Sequence, residues 1–257
     1  MNKLIIEGIL YDKDTDAFDI NFKHDTDKDV VKLTYASKLV VKQSKFYSIQ
    51  IYYAYNLNVK HIEKPIREKL IDLFKYQTGI SEQDYEHLLN KAVLKFNNVQ
   101  PITEFDMIIA PKSKSSLLKQ LLSKLKAKSG NTILANDVLI KNAIENVYVD
   151  YDKYISTAKD EKEKQKRLKD LKGQLKGATK EGEFKVKSIY PQFRKFFSNY
   201  LIFKSDTSRT IYNAISNGNI LIVDDIKTSG ETLKEMLREV NTYVPKSVTI
   251  FIFFRNE

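Results

Sequence analysis

Asn219–Thr232 reads N-I-L-I-V-D-D-I-K-T-S-G-E-T. Ile220 to Val223 form an uninterrupted apolar run, the pattern of a short strand buried on both faces. Asp224 and Asp225 stand at its C-terminal end, and Lys227, Thr228, Ser229, Gly230, Glu231 and Thr232 make a polar loop. Leu233, Met236, Leu237 and Val240 then recur at helical spacing. Strand, acid pair, loop and helix in this order point to a parallel α/β sheet, where ligands collect at the C-terminal strand ends.

A loop that runs into a helix N-terminus presents free backbone N–H groups and the positive end of the helix dipole, which suits a phosphate. Thr228, Ser229 and Thr232 add hydroxyl donors, and Gly230 permits positive φ and close backbone approach. Two carboxylates beside a phosphate would repel it. They make sense if they hold something attached to it, either sugar hydroxyls or a hydrated Mg²⁺. The combination suggests a sugar phosphate. The plain alternative is a strand–turn–helix with a Ser/Thr cap. A receiver domain also opens on an apolar strand and an acid pair, but it needs about a hundred further residues of alternating elements. Only Ile226 to Glu257 remain here.

The 257 residues are 42% hydrophobic, enough for one large domain or a core with an appendage. With no Cys there is no disulfide, thiolate metal site or cysteine nucleophile. Glu7 and Asp12 interrupt the apolar run at the N-terminus, so no signal peptide is expected, and no stretch reaches the length of a membrane span. The expectation is a soluble cytoplasmic protein. The formal net charge of +10 comes nearly all from Lys, in a chain rich in Asn, Ile and Tyr. Arg, the preferred reader of bases and phosphates, is scarce, so compositional bias is favoured over nucleic-acid binding.

Residues 1 to about 57 alternate in the manner of strands, at Phe18, Ile20 and Phe22, at Val31, Leu33 and Tyr35, and at Ile49, Ile51, Tyr53 and Tyr55. Asp12–Asp16 and His24–Asp29 read as turns, and a small antiparallel sheet is expected. Two helices follow. His61–Tyr76 carries the stripe Ile62, Ile66, Leu70, Ile71 and Phe74 and stops at Gly79. The next is capped by Ser81 and buries Tyr85, Leu88, Leu89, Ala92, Val93 and Phe96. A boundary is set near 100, giving an N-terminal region of 1–100 and a core of 101–257. Phe105–Ala110, a helix with Leu117, Leu118, Leu121, Leu122 and Leu125, and Thr132–Ile140 form a βαβ unit. Its loop Pro111-Lys112-Ser113-Lys114-Ser115 occupies the same strand-to-helix position as the Asp224 loop, so the two together could hold both ends of one polyanion. At about 142–190 the chain becomes a charged flexible insertion, in which Gly173, Gly177 and Gly182 are expected to interrupt any helix. Phe193–Tyr200 reads as helix core, Tyr200–Phe203 as a strand, Ile211–Ile215 as a helix and Ser247–Phe254 as a last buried strand.

The opening stretch resembles the phosphoribosyl-pyrophosphate (PRPP) motif of type I phosphoribosyltransferases, an apolar strand, two acids and a loop T-S/T-G-x-T. Its loop is most similar to competence-protein-F-like and other predicted phosphoribosyltransferases. The resemblance implies a parallel-sheet α/β core with helices on both faces, plus an N-terminal mostly antiparallel β and helical region. It implies that Asp224 and Asp225 meet the ribose 2′- and 3′-hydroxyls and are the catalytic acids, and that Lys227 through Thr232 bind the 5′-phosphate. It places the pyrophosphate at Lys112, Ser113, Lys114, Ser115 and Lys141, with Lys141 just after the next strand. Mg²⁺ would be the cofactor, held mainly by substrate with Asp224 and Asp225 as its protein ligands. The reaction implied is transfer of ribose-5-phosphate to a small-molecule acceptor, a nitrogenous base. Thr228 stands where enzymes for 6-oxopurines carry an Asp, which argues against hypoxanthine and guanine, and Glu231 must turn away from the phosphate. The hood over the base is expected from residues 1–100, from 142–190, or from a second subunit of a homodimer. The other reading is a non-catalytic PRPP-binding regulator whose basic 150–187 arm contacts nucleic acid or a protein.

Overall fold

A computed structural model describes residues 3–6, 9–12, 17–20, 49–57, 64–156, 158–180, 183–227 and 230–256. The expected features at Phe22, His24–Asp29, Val31, Leu33, Tyr35, His61, Ile62, Gly182, Thr228 and Ser229 lie outside these residues. The chain divides into two compact units. The first comprises residues 1–136, 209–228 and 244–257, and the second 137–208 and 229–243.

The first unit opens on an antiparallel meander of β1 (Lys3–Ile6), β2 (Ile9–Asp12) and β3 (Ala17–Ile20). Its main sheet has five strands, β4 (Ile49–Leu57), β5 (Met107–Ile109), β6 (Ile133–Ala135), β13 (Asn219–Lys227) and β14 (Ser247–Asn256). Their order is β4-β14-β13-β5-β6, and every pairing is parallel. The two long apolar runs of the sequence take the sheet's interior, because β13 and β14 are buried on both faces. Ile220 to Val223 and Val248 to Phe254 are at most 5% exposed.

Ile49–Leu57 corrects the expectation of a hairpin sheet over the whole of 1–57. The alternation is there, but Ile51 registers with Ile250 and Tyr53 with Ile252, in parallel. Period-two patterning marks a strand without naming its partner, and this partner lies about two hundred residues downstream. The first unit therefore crosses residue 100. The strand expected over Thr132–Ile140 also breaks. β6 ends at Ala135, and β7 (Leu139–Lys141) pairs antiparallel with β12 (Leu201–Phe203) in the second unit. The Asn136-Asp137 pair at the break is a turn sequence inside an otherwise apolar run.

One face of the sheet is covered by α1 (Lys64–Tyr76), α2 (Glu82–Val99) and α3 (Ser116–Lys128). The six α2 residues and five α3 leucines read from the sequence are the buried ones. Each such side chain contributes about 1.5–3 kcal/mol on leaving water. Ser81 caps α2, its Oγ accepting from Asp84 N at 3.1 Å. An aromatic layer joins helices to strands. The Phe96 ring stacks on Phe251 at 4.3 Å, and Phe74 meets Phe254 at 4.4 Å. Among the described residues no helix is long and apolar enough to cross a membrane.

The entry to β13 leaves no room for a side chain. α6 (Arg209–Ile215) ends just before Gly218, and a Cβ built on Gly218 would sit 2.0 Å from the carbonyl oxygen of Ala214. That backbone cannot yield without loosening the turn, whose Gly218 carbonyl accepts from Lys246 N at 2.9 Å. Gly218→Ala is expected to destabilise the protein by about 2–3 kcal/mol, read as a fall in the midpoint of chemical unfolding.

The second unit holds β7, β8 (Tyr148–Val149), α4 (Tyr151–Ser156), α5 (Glu161–Ala178), β9 (Thr179–Lys180), β10 (Glu183–Phe184), β11 (Phe197–Ser198), β12 and α7 (Glu231–Asn241). β8 pairs with β11 and β9 with β10, both antiparallel. Tyr154, Leu171, Ala178, Phe184, Ile189 and Phe197 are buried in it. The helix expected around Phe193–Tyr200 is a 3₁₀ turn, Pro191–Phe196, followed by β11.

α5 runs through Gly173 and Gly177, where an interruption was expected. Asp160 Oδ1 accepts from Glu163 N at 2.7 Å, and Glu163 reaches back to Lys159 N at 2.7 Å. Glu163 also holds Arg167 at 2.6 Å, and Leu171 is fully buried. Cap, ion pair and packing outweigh about 1 kcal/mol lost at each glycine. Nothing lies within 4 Å of a Cβ built on either one. Gly173→Ala and Gly177→Ala are each expected to stabilise the protein by about 0.5–1 kcal/mol, measured by thermal or urea unfolding.

Candidate active site

β13 delivers the acid pair to the C-terminal edge of the first unit's sheet. Successive strand residues face opposite sides. Asp225 therefore shares the face of Leu221 and Val223 beneath the helical layer, and Asp224 shares that of Ile220 and Ile222. Both carboxylates are enclosed, at 9% exposure for Asp224 and 6% for Asp225. Asp224 Oδ1 accepts from Asp225 N at 2.9 Å, and Asp225 Oδ1 accepts from Ile226 N at 2.8 Å. Asp225 Oδ2 is buried and, among the described residues, has no hydrogen-bond partner. Burial first, and then the neighbouring Asp225 carboxylate, pushes the Asp224 carboxyl up to about 8, against a smaller opposing pull from Lys75.

An unpartnered carboxylate oxygen in an apolar enclosure is costly, on the order of 1–3 kcal/mol or more. Donors from a ligand, such as sugar hydroxyls, or a cation would satisfy it. The pair fits either, and Mg²⁺ in particular suits hard carboxylate oxygens. Among the described residues no three acidic or imidazole groups cluster around a common point, so a magnesium ion here would draw most of its ligands from substrate and water.

The Pro111–Ser115 loop leaves the sheet at the same edge. β5 lies beside β13 in parallel register, Ile109 opposite Ile222, so the chain leaves β5 level with the acid pair, which lies within β13. Lys112 and Lys114 are exposed, and Ser113 Oγ accepts from Ser115 N at 3.1 Å. Ser115 caps α3, its Oγ accepting from Leu118 N at 3.3 Å. The loop therefore opens directly onto a helix N-terminus.

Lys227 ends β13 in register with Arg255 of β14. Gly230, Glu231 and Thr232 belong to the second unit, where Gly230 precedes α7 with φ 77°, the left-handed conformation its sequence position required. Glu231 does not turn to solvent. It is 13% exposed and paired with Lys234 at 2.8 Å, which neutralises it one helical turn on. Lys141 is an exposed residue at the end of β7, opposite Leu201 in the second unit. The residue that follows β6 is Asn136, because the strand breaks earlier than the sequence suggested.

Three residues at this edge escaped the sequence reading. Lys75, in the last turn of α1, acts electrostatically on Asp224. Tyr85 of α2 donates its hydroxyl to Phe74 O at 2.9 Å, and burial first and then the Asp225 charge hold that hydroxyl protonated well above the usual phenol range. Arg255 places its guanidinium 5.2 Å from the Tyr53 ring. Its position after the apolar run of β14 was a visible signal. Lys75 and Tyr85 read only as helix residues.

A cleft of about 450 Å³ bordered by Asp106, Thr132, Asn213 and Gly218 lies at the opposite edge, before β5, β6 and β13 begin, and is separate from this chemistry. A search of curated proteins finds no match to the chain. The model of the phosphoribosyl transferase domain matches residues 76–257, which include the acid pair, both loops and four of the five parallel strands. The chain belongs to the phosphoribosyl transferase domain family.

Proposed function

We propose that the protein is a Mg²⁺-dependent enzyme that transfers ribose-5-phosphate from PRPP to a nitrogenous acceptor, releasing pyrophosphate. The observation that carries this reading is the buried acid pair, one of whose carboxylate oxygens no described residue supplies with a donor. Ribose 2′- and 3′-hydroxyls are donors of the right kind, and a sugar that satisfies Asp224 and Asp225 has its C1 fixed relative to the sheet edge. The bond from C1 to pyrophosphate oxygen breaks with its electron pair leaving on pyrophosphate. The acceptor nitrogen forms the new bond to C1 and loses its proton. Positive charge develops on the ribose ring as the leaving group departs, and the two carboxylates are placed to stabilise it. Lys112, Lys114 and the N-terminus of α3 supply positive potential on the leaving-group side. Mg²⁺, when bound, neutralises the pyrophosphate. Thr228 stands where an acid would serve as base toward a 6-oxopurine, so other bases are the first acceptors to try.

The test is pyrophosphate release from PRPP and Mg²⁺ across a panel of bases and amines. Turnover with one acceptor, lost in Asp225→Asn, supports the enzyme. PRPP binding without turnover on any acceptor favours a regulator that kept the site. Failure to bind PRPP sinks both.

A further inference from the structure

We infer that Lys75, in the last turn of α1, is a ligand to the pyrophosphate end of PRPP, so that a helix ahead of the matched domain supplies part of the site; this rests on the function proposed above. The matched domain begins at residue 76, so the family's motifs do not reach Lys75. The resemblance set Lys141 beside the Pro111–Ser115 loop as a further pyrophosphate cation. Lys141 lies on β7 of the second unit, whereas Lys75 belongs to the unit that carries both the acid pair and that loop.

Three contacts fix the last turn of α1. The Phe74 ring meets Phe254 at 4.4 Å, and Phe254 is in register with Ile226, two residues past Asp224. Tyr85 of α2 donates its hydroxyl to Phe74 O at 2.9 Å. Gln77 Oε1 accepts from Gln120 Nε2 at 3.0 Å, and Gln120 lies one turn into α3, the helix onto which the Pro111–Ser115 loop opens. Gln77 does so at φ 58°, a left-handed conformation that helix ends ordinarily leave to Gly. Lys75 stands between these anchors, Phe74 at the strand end that bears the acids and Gln77 at the N-terminal part of α3.

Lys75 is half-buried, and among the described residues no hydrogen bond or ion pair engages its ammonium. It is not the counter-ion of the acid pair. Burial and the Asp225 charge still push the Asp224 carboxyl up to about 8, so Lys75 lowers it without neutralising it. A lysine in the last turn also suits the negative end of the α1 dipole. That accounts for a cation at this point of the helix, but not for the anchoring of the turn between the acids and the start of α3. Two carboxylates and the negative end of α1 would repel a polyanion at this edge, and Lys75 supplies the opposing charge. An ammonium is a compact point charge that binds a phosphate oxygen without a fixed fork geometry. The phosphates that the α3 N-terminus attracts are those of the leaving group, which selects the pyrophosphate end.

The experiment is titration calorimetry of the full chain with PRPP and, separately, with ribose 5-phosphate, each with Mg²⁺. Lys75→Met keeps the length of the side chain and removes the charge. It should weaken PRPP binding about 10- to 100-fold, as loss of one hydrogen bond to a charged group requires, and leave ribose 5-phosphate within about twofold. Lys75→Arg keeps the charge and should recover most of the loss. Thermal melts of both variants without ligand verify that they are folded. PRPP affinity that survives Lys75→Met, or a loss that ribose 5-phosphate shares, overturns the inference and leaves the proposed function standing. A parent chain that does not bind PRPP overturns both.

Discussion

Asp225→Asn is expected to lower kcat/KM for PRPP at least about 100-fold while leaving the fold intact. The substitution is nearly isosteric, and its Oδ1 can keep the 2.8 Å bond from Ile226 N that shapes the strand end. What changes is Oδ2, the buried atom with no partner among the described residues. An amide nitrogen there donates where the ribose hydroxyl also needs to donate, so the pairing reverses from attraction to conflict. Hydrogen bonds to a charged group contribute about 1.5–3 kcal/mol each, and a carboxylate beside a developing cation adds to that in the transition state. Pyrophosphate release measures the loss, and titration calorimetry with PRPP divides it between binding and the chemical step. Equal loss in KM alone would mean that the acid only anchors the ribose. An unchanged kcat/KM would remove Asp225 from the site. The same variant should unfold at an equal or higher temperature than the parent, because a desolvated charge has been deleted, and this separates lost chemistry from lost structure.

How far the sequence discloses this molecule depends on the range of the interaction concerned. The buried faces of α2 and α3 were legible residue by residue, and that of α7 in all but the buried Glu235, because a 3.6-residue period and a cap such as Ser81 are local. Gly230 was legible for the same reason, since its left-handed φ is a property of one residue in one turn. The parallel partner of Ile49–Leu57 was not, because strand pairing is decided by what lies alongside and alternation is the same in either orientation. The break after Ala135 hid inside an apolar run, where Asn136-Asp137 was the sole local sign. At the candidate site, the acid pair was read as a ligand to sugar hydroxyls or Mg²⁺. Its enclosure, and the approach of Lys75 and Tyr85, follow from α1 and α2 packing over the sheet. α5 shows the opposite case. Two glycines and dense charge argued locally for a broken helix, and a buried Leu171 with a reciprocal cap overruled them.

The enclosed acid pair also sets how stability responds to pH. With its carboxyl pushed up to about 8 against an ordinary value of 3.8, Asp224 holds a proton in the folded protein across a window in which the unfolded chain has released it. The folded state binds more protons there, so ligand-free stability is greatest on the acid side and falls as pH rises from about 4 to about 8. One proton of difference corresponds to a slope on the order of 1 kcal/mol per pH unit. The groups that set the window are Asp225 beside it and Lys75 of α1, while the Tyr85 hydroxyl stays protonated throughout. Asp224→Asn removes the titration and keeps the shape. Its Tm should match the parent's near pH 5 and exceed it by several degrees near pH 8, since about 1 kcal/mol shifts Tm by about 2–4 °C in a chain of this size. Parallel Tm profiles for parent and variant between pH 5 and 8 would show that Asp224 is ionised in the folded state without cost. Adding PRPP with Mg²⁺ should reverse the order. The ionised pair then gains its donors and cation, and the parent gains thermal stability at pH 8 that the Asn variant does not.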